Sequence, residues 1–595
     1  MLEKIKSEKK LEYITLFLFV LTYCIITVFH EPWFDEAQAW QIAKCASLKE
    51  IFFEIPHYEG HPPLWWLLLS IPAKLGVPFE IGLKTIGLLI STTSAILMIF
   101  HSKLPRIIRL TIPFTYFFFY QYGVIVRPYG LMLLCFLLLG MNLPQRKEHP
   151  WRIFALLLLL CLTSAYGILL AGGISVCILW EIFQEKGFRS LFCEIYTDVR
   201  TRSLLVLLVV ALLLIAEIMP RSDTYVTSAN ANNSFWICLL CTLFTLLGEC
   251  FLTFGSWFSI DITLLQHAMI PYWELTTFCI IGIVLWIMIF CASSKKGLKF
   301  LLIPYLLFAV FAAKVYFSAH HLGIVFILVL FWAELMSRDE MNFEIGKIVL
   351  GKLLQNNRDK RILRGAYILI GCFCMVVPLI WAICASVNDI RVEYSYGRRG
   401  ASFLKEHKLD NTIIFSQWED NGSVNGQSNE CKDYVNTYTI GIPVVINAYF
   451  QNNVSANLNL GDNSKAYMKY KVANYKESLE TIAQWRETGT PDVIIGKPDL
   501  DIIFGDRITY SDYTLVDVFE MNYTWKLNIR RGSIPVYVRN DLLKSHHLEP
   551  LDDDRYNIIY NGFKITDEMR QDYENGVPIE EILKPYLDIM FGTEE

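Results

Sequence analysis

Apolar runs long enough to cross a bilayer recur along this chain until about residue 386. A helix needs about 20 apolar residues to cross the hydrocarbon core, where every backbone polar group has to be bonded within the protein. Of the 595 residues, 54% are hydrophobic and only 19% are charged, which is a low charged fraction for a soluble protein of this length. The chain is therefore predicted to be a polytopic α-helical membrane protein with about 11–13 spans.

The positions of lysine and arginine predict the direction of these spans, because cytoplasmic loops collect both residues. With the basic patches inside, the N-terminus is cytoplasmic and residues 31–80 form an acidic outer loop. Segment 236–258 is left open, since the number of crossings closes only if it does not cross once by itself. The basic patches lie at residues 1–10, 101–109, 145–152, 185–202, 295–299 and 338–364.

The composition changes at about residue 388, where Asn, Asp, Lys, Tyr and Gly replace Leu and Phe. We therefore predict a transmembrane domain over 1–387 and a soluble extracytoplasmic α/β domain over 388–595. About 200 residues suffice for a domain with its own core, and alternating strands and helices predict a partly parallel sheet. The predicted strands are 412–415, 443–446, 492–495 and 535–538, and the predicted helices are 400–407, 476–487 and the chain end.

Two adjacent carboxylates, Asp35 and Glu36, directly follow the first apolar run. Ionisable groups at membrane depth are costly unless they are solvated, paired or used in function. A carboxylate within hydrogen-bond reach of a hydroxyl can act as its general base. The ordinary structural interpretation is that both acids begin a helix, whose dipole attracts them.

Several cationic or imidazole side chains are predicted on the same outer side as this acidic pair. Arginine and histidine can hold a phosphate leaving group and stabilise its charge, although an arginine here could also reach toward lipid headgroups. A zinc site from the histidines stays open, but no ligand spacing favours it. The net charge of −5 indicates no nucleic-acid partner. The candidate residues are His61, Arg127, His320 and His321, and the zinc alternative adds His57.

Three motifs follow one another in the first third of the chain: Pro32–Ala37 with its Asp-Glu-Ala, His61–Leu64 with its His-Pro-Pro-Leu, and Arg127–Tyr129. Their order resembles the GT-C membrane glycosyltransferases, and more narrowly the protein O-mannosyltransferase and aminoarabinose-transferase (family 39-like) group. The resemblance covers about residues 10–340. It implies an inverting transferase that moves a sugar from a polyprenyl-phosphate donor to a hydroxyl acceptor on the outer membrane face.

The resemblance also implies roles for individual residues. Asp35 would deprotonate the acceptor, Glu36 would assist by orienting the acceptor or a metal, and Arg127 would hold the lipid phosphate. His61, His320 and His321 would face the donor. A divalent metal is left open, because its use varies in this fold class.

The acceptor and the cellular setting are broader expectations. The chain lacks the trefoil-type insert of the eukaryotic protein mannosyltransferases, and its last 200 residues resemble the C-terminal extracytoplasmic domains of bacterial members. We therefore expect a bacterial cell membrane and a cell-surface glycan, a glycolipid or a protein as acceptor. The alternatives are a transporter or flippase for a lipid-linked glycan and a membrane-anchored glycan-binding scaffold.

Overall fold

The computed structural model divides the chain into two compact units, which are described separately. Unit 1 comprises Met1–Tyr394 together with two later segments, Lys469–Lys471 and Tyr523–Arg530. Unit 2 comprises the rest of the chain from Ser395 onward. The structure describes residues 9–187, 198–224, 234–252, 272–338, 357–418, 441–459, 464–471, 475–562 and 566–591.

Unit 1 is built from helices. They are α1 (Lys10–Phe29), α2 (Phe34–Cys45), α3 (Leu48–Phe53), α4 (Pro56–Glu59), α5 (Leu64–Lys74), α6 (Phe79–Ile96), α7 (Arg106–Thr111), α8 (Pro128–Asn142), α9 (Pro150–Cys161), α10 (Ala165–Lys186), α11 (Val199–Ile218), α12 (Phe235–Leu252), α13 (Tyr272–Ala292), α14 (Lys295–Lys314), α15 (Gly323–Arg338) and α16 (Asn357–Arg391). Within the described residues, ten helices are long and apolar enough to cross a membrane, by length and composition. The membrane-embedded character predicted from the sequence is thus supported, while the count of 11–13 spans stays a prediction.

The predicted span over 107–122 is not one continuous α-helix. After α7, a short 3-10 turn over Ile112–Phe114 leads into a π-helix over Tyr116–Val124. Pro113 has no N–H for the helical ladder, which explains the interruption. All nine residues of the π-helix are buried, and π-helices occur frequently at functional sites.

Segment 236–258 begins as a regular helix, because α12 covers Phe235–Leu252, whereas residues 253–258 lie outside the described residues. Helix α12 packs antiparallel to α13 through two glycines, Gly248 and Gly282. A Cβ atom on Gly282 would lie 1.6 Å from the carbonyl oxygen of Phe244. Only glycine therefore permits this backbone approach. The end of α12 lies near the start of α15, where Cys250 Sγ is 3.8 Å from the Leu322 carbonyl.

Buried and half-buried ion pairs gather at one end of the helices of unit 1, at the starts of α1 and α14 and the ends of α10 and α15. This end is rich in lysine and arginine, as cytoplasmic ends are, but the orientation in a membrane stays a prediction. The pairs are Glu12 with Arg106 (2.8 Å) and Arg109 (2.9 Å), Glu181 with Arg146 (2.6 Å) and Lys299 (2.8 Å), and Glu334 with Arg338 (2.7 Å).

Unit 2 contains a four-stranded sheet in the order β1-β2-β4-β3. Strands β1 and β2 are parallel, with Ile414 opposite Val493, and β2 and β4 are antiparallel. The predicted partly parallel sheet is therefore present. The elements are α17 (Gly397–Glu406), β1 (Ile414–Ser416), α18 (Ile442–Asn447), α19 (Tyr475–Glu487), β2 (Val493–Ile495), α20 (Leu500–Phe504), β3 (Tyr513–Trp525), β4 (Asn528–Arg539), α21 (Asp554–Asn561), α22 (Asp567–Glu574) and α23 (Ile579–Phe591).

The strand predicted over 443–446 is wrong, since these residues belong to helix α18. Pro443 stands in the first turn of that helix, where its missing N–H costs nothing, whereas the same proline would break a strand ladder. The core of unit 2 packs Phe415 and Ile494 from the sheet against Trp485 of α19. The tip of the β3–β4 hairpin, from Tyr523 to Arg530, belongs to unit 1.

Candidate functional site

Several helices of unit 1 end close to one another, at the end of the unit opposite the ion pairs of Glu12, Glu181 and Glu334. Asp35 is the second residue of α2, and Arg127 immediately precedes α8. His320 and His321 form the 3-10 turn before α15, and His30 directly follows α1. Helix ends leave backbone polar groups unpaired, so a junction of this kind is suited to hold polar side chains and ligands.

Asp35 and Arg127 form an ion pair at the centre of this junction. Arg127 Nη2 donates to Asp35 Oδ2 at 2.8 Å. The Arg127 side chain is 10% exposed, whereas that of Asp35 is 26% exposed. Burial lowers the pKa of Arg127, but the electrostatic effects of Asp35, Tyr129, Tyr316 and Glu36 together outweigh it and raise the pKa. The site therefore holds a fixed positive charge with a carboxylate that solvent can reach.

The Arg127 guanidinium lies between two aromatic rings, 5.5 Å from the centre of Trp33 and 5.2 Å from that of Tyr129. Each of these three side chains has a buried polar atom without a hydrogen-bond partner among the described residues: Arg127 Nη1, Trp33 Nε1 and Tyr129 Oη. Buried polar groups are nearly always bonded. Two such donors on the rings beside the guanidinium, together with its own Nη1, indicate a place for an anionic oxygen ligand.

Glu36 occupies a different environment from its neighbour, because it is buried and bonded within the protein. Its Oε1 accepts from the backbone N–H of Val126 at 2.7 Å, and its Oε2 accepts from that of Trp33 at 3.1 Å. Glu36 thus ties the start of α2 to the turn before α8. These two bonds fix the positions of Asp35 and Arg127 relative to each other.

Beneath Glu36 lies a buried charge network that the sequence reasoning missed. His30 Nε2 lies 3.6 Å from Glu36 Oε2, and His30 Nδ1 lies 2.9 Å from Asp389 Oδ2 near the end of α16. Tyr120 donates to the other Asp389 oxygen at 2.8 Å. Burial would lower the pKa of His30, but the charge of Asp389, the hydrogen bond to it and the contact with Glu36 raise this pKa to about 9. His30 is therefore protonated at neutral pH.

His61 lies close enough to Arg127 for the guanidinium charge to act on its imidazole. Burial and the positive charge of Arg127 lower the pKa of His61 to about 4, so the ring is neutral. Its Nδ1 is buried and has no partner among the described residues.

Glu59, two residues before His61, accepts from Gln38 of α2 at 2.8 Å. Burial is the main cause that raises the pKa of Glu59 to about 7, and the charge of Asp35 raises it further. The hydrogen bond from Gln38 and the charge of Arg127 act in the opposite direction. The sequence analysis gave Glu59 no role. Its signal was its position two residues before the His-Pro-Pro-Leu motif.

The two adjacent histidines take different positions. His320 lies at the edge of the junction, with its ring centre 6.4 Å from Trp33 and 6.5 Å from Tyr129. His321 is buried and its Nδ1 accepts from the Ser318 N–H at 3.0 Å. His320 is thus placed to face a ligand near Arg127, and His321 supports the turn that carries it.

Two short segments from the second half of the chain complete the junction within unit 1. Tyr523, at the hairpin tip, lies with its ring centre 5.9 Å from that of Trp33. Tyr470 lies 6.4 Å from Phe34. The sequence reasoning missed both residues, since nothing in their local pattern separates them from other tyrosines of the C-terminal region.

The described residues contain no group of three or more His, Cys, Asp or Glu side chains arranged to hold a metal ion. His57, which the zinc alternative includes, makes a hydrogen bond to the carbonyl oxygen of Met219 instead, with 2.7 Å between its Nδ1 and that oxygen. The structure therefore assigns no ligand set to the divalent metal that the sequence analysis left open.

Comparison with known proteins returned no match. No protein-family model, no characterised protein and no solved structure matches this chain. The resemblance to the GT-C glycosyltransferases therefore depends on the three sequence motifs.

Proposed function

We propose that this protein is a membrane glycosyltransferase of the GT-C type, which moves a sugar from a polyprenyl-phosphate donor to a hydroxyl acceptor with inversion. The single observation that carries this proposal is the Asp35–Arg127 pair. A solvent-accessible carboxylate lies 2.8 Å from a buried guanidinium. A base for a hydroxyl and a cation for a phosphate are thus adjacent, as this reaction requires.

The phosphate of the donor is assigned to Arg127 and the donors around it. Arginine binds phosphate through parallel N–H groups, and Nη1 of Arg127 has no partner among the described residues. Trp33 Nε1 and Tyr129 Oη offer further hydrogen bonds, while His61 and His320 lie at the edge. When the phosphate binds, it competes with Asp35 for Arg127 and so frees the carboxylate to act on the acceptor.

In the transfer step, Asp35 takes the proton of the acceptor hydroxyl while the oxygen of that hydroxyl attacks the anomeric carbon of the donor sugar. The bond from that carbon to the phosphate oxygen breaks, and its electron pair leaves with the polyprenyl phosphate. Arg127 stabilises the negative charge that develops on this leaving group. Attack from the face opposite the phosphate inverts the anomeric configuration.

Glu36 is assigned a positioning role in this scheme. Both of its oxygens accept backbone N–H bonds, so it orients Asp35 through the start of α2. We propose that the reaction takes place on the outer face of a bacterial cell membrane. The predicted charge distribution supports the outer face, and the resemblance of the last 200 residues to domains of bacterial members supports the bacterial setting.

The test is Asp35→Asn in the full-length protein, assayed in membranes with polyprenyl-phosphate mannose, glucose and aminoarabinose as candidate donors and confirmed by mass spectrometry of cell-envelope glycans. We expect transfer to be abolished, because the amide cannot take the proton. Asp517→Asn is the matched control, since Asp517 is also a partly exposed acid paired with an arginine, 2.7 Å from Arg399.

A fully active Asp35→Asn protein would refute the assignment of the base. Movement of a labelled donor lipid across the bilayer without a new glycosidic bond would favour a flippase instead. Arg127→Gln should weaken donor binding more than acceptor binding, which a KM measured for each substrate separates.

A further inference from the structure

The two residues that directly precede Asp35 each make an aromatic contact with a tyrosine from the second half of the chain. Trp33, two residues before Asp35, lies 5.9 Å from Tyr523, and Phe34, directly before Asp35, lies 6.4 Å from Tyr470. Tyr470 and Tyr523 are both only partly buried. Burial raises the pKa of Tyr523 to about 12, and the charge of Asp35 adds to this rise.

The hairpin tip that carries Tyr523 is anchored in unit 1 by a buried lysine. Lys526 Nζ donates to the Glu249 carbonyl at 2.8 Å, lies 3.5 Å from the Glu249 carboxylate and stands over the ring of Trp381 at 4.6 Å. Thr524 also hydrogen-bonds to Asn388. Tyr523 is therefore held in place by two contacts on the residues that follow it.

The segment that carries Tyr470 is held on both sides. Lys469 donates to Glu54 at 2.7 Å, and Lys471 pairs with Asp223 at 3.8 Å and forms an antiparallel bridge with Thr224. These contacts fix the chain on both sides of Tyr470, and aromatic side chains are common in the lining of ligand-binding sites.

We propose that Tyr470 and Tyr523 form the acceptor subsite beside Asp35, and that the group they hold is a sugar ring, so that the acceptor is a glycan. This inference rests on the proposed function, which it deepens by naming the acceptor class. A sugar presents a C–H face to the negative face of an aromatic ring, and its hydroxyls need acceptors and donors at the rim. Asp35, Glu59 and Gln38 supply these polar groups.

The combination of groups favours a sugar over a peptide. Peptide segments bind largely through backbone hydrogen bonds to a sheet edge or through a groove for a helix face, whereas the groups assigned to the subsite are side chains from helix ends, a hairpin tip and a short segment. Two tyrosines next to a carboxylate and a Glu–Gln pair instead match a ring with one apolar face and several hydroxyls.

The test is saturation-transfer NMR, which measures the saturation passed from the full-length protein in detergent micelles to the protons of a bound probe. The probes are the methyl glycosides of mannose, glucose, galactose, N-acetylglucosamine and arabinose, with a serine- and threonine-containing peptide as comparison. We expect at least one glycoside to receive saturation through the C–H protons of one ring face. Saturation of the peptide with none of the glycosides would overturn the inference, and so would no saturation of any probe.

Variants of the subsite sharpen the result. Tyr523→Ala and Tyr470→Ala should each weaken glycoside binding about tenfold, while Tyr523→Phe keeps the ring and should stay within about threefold of the parent. Leu527→Ala is the matched control, because Leu527 lies on the same hairpin tip and is 43% exposed. Equal affinity of the parent and both alanine variants would overturn the assignment to these tyrosines.

The failure of this inference is separable from the failure of the proposed function. Asp35→Asn should abolish transfer but weaken glycoside binding only slightly, because asparagine keeps a polar side chain at this position and Tyr470, Tyr523 and Glu59 are unchanged. A protein that binds the glycosides but transfers sugar normally without Asp35 would refute the proposed base and keep the sugar subsite. A protein that needs Asp35 but transfers only to the peptide would refute the sugar subsite and keep the proposed base.

Discussion

Replacement of Asp389 by asparagine tests whether the buried network under the site is a source of stability. Asp389 is 3% exposed and contacts His30 at 2.9 Å and Tyr120 at 2.8 Å. Asp389→Asn preserves the size of the side chain but removes its charge. The protonated His30 then keeps only Glu36, at 3.6 Å, as a counter-charge.

The expected loss of stability follows from the pKa of His30 and from the burial of the pair. The network raises this pKa from 6.5 to about 9, and a shift of that size corresponds to about 3 kcal/mol. Breaking a buried ion pair by removing one partner costs about 3–5 kcal/mol. We therefore expect Asp389→Asn to lower the free energy of unfolding by about 3 kcal/mol at pH 6.

The same pair predicts how stability depends on pH. Because the pKa of His30 is raised in the folded state, the stabilisation is fully present below pH 6.5 and is lost as the pH rises through about 9. The difference in stability between the parent and His30→Gln should therefore shrink between these two values. In Asp389→Asn this pH dependence should be weaker.

The assay is equilibrium unfolding of the full-length protein in mixed micelles, followed by tryptophan fluorescence. A double-mutant cycle with His30→Gln and Asp389→Asn isolates the interaction energy of the pair. Asp541→Asn serves as the control, because Asp541 pairs with Arg539 on the surface, and its stability should match that of the parent. A loss below about 1 kcal/mol for Asp389→Asn, or additive effects in the cycle, would refute the reasoning.

Two further predictions concern packing in unit 1. Gly282→Ala should destabilise the protein by about 1–3 kcal/mol or more, because the added methyl group meets the backbone of α12. Gly365→Ala is the control and should not destabilise the protein, because nothing lies within 4 Å of its Cβ position. Equal effects of the two variants in a thermal-unfolding assay would contradict the α12–α13 contact. Lys526→Met should destabilise by about 3–5 kcal/mol, because it leaves Glu249 buried without its cation. The double variant with Glu249→Gln should recover most of that loss, and no recovery would exclude the ion pair as the cause.

Much of the helical architecture could be predicted from the sequence, because a span is encoded in one continuous run of apolar residues. The run at residues 11–29 becomes α1, and the run at 129–143 becomes α8. The prediction is wrong where a local feature has two structural meanings. Pro443 begins a helix although the valine and isoleucine after it favour a strand, and Pro113 divides what reads as one span.

The candidate site could be predicted in part, from residue types that are costly at a membrane boundary. This reasoning selected Asp35 and Arg127, which the structure brings within 2.8 Å of each other. The residue types alone did not separate Asp35 from Glu36, since adjacent carboxylates look alike in a sequence, and only the family resemblance gave them different roles. The structure separates them by environment, because one is accessible and the other is bonded on both oxygens.

The sequence by itself determined the helical, membrane-type character of the chain and the short run that carries Asp35, since both depend on local composition and spacing. Only the tertiary structure decided which distant residues join that run. His30 and Asp389 are 359 positions apart, and Tyr523 comes from a hairpin in the last part of the chain. No local pattern encodes such contacts, because they arise when helix ends and a hairpin tip pack around the same buried charges.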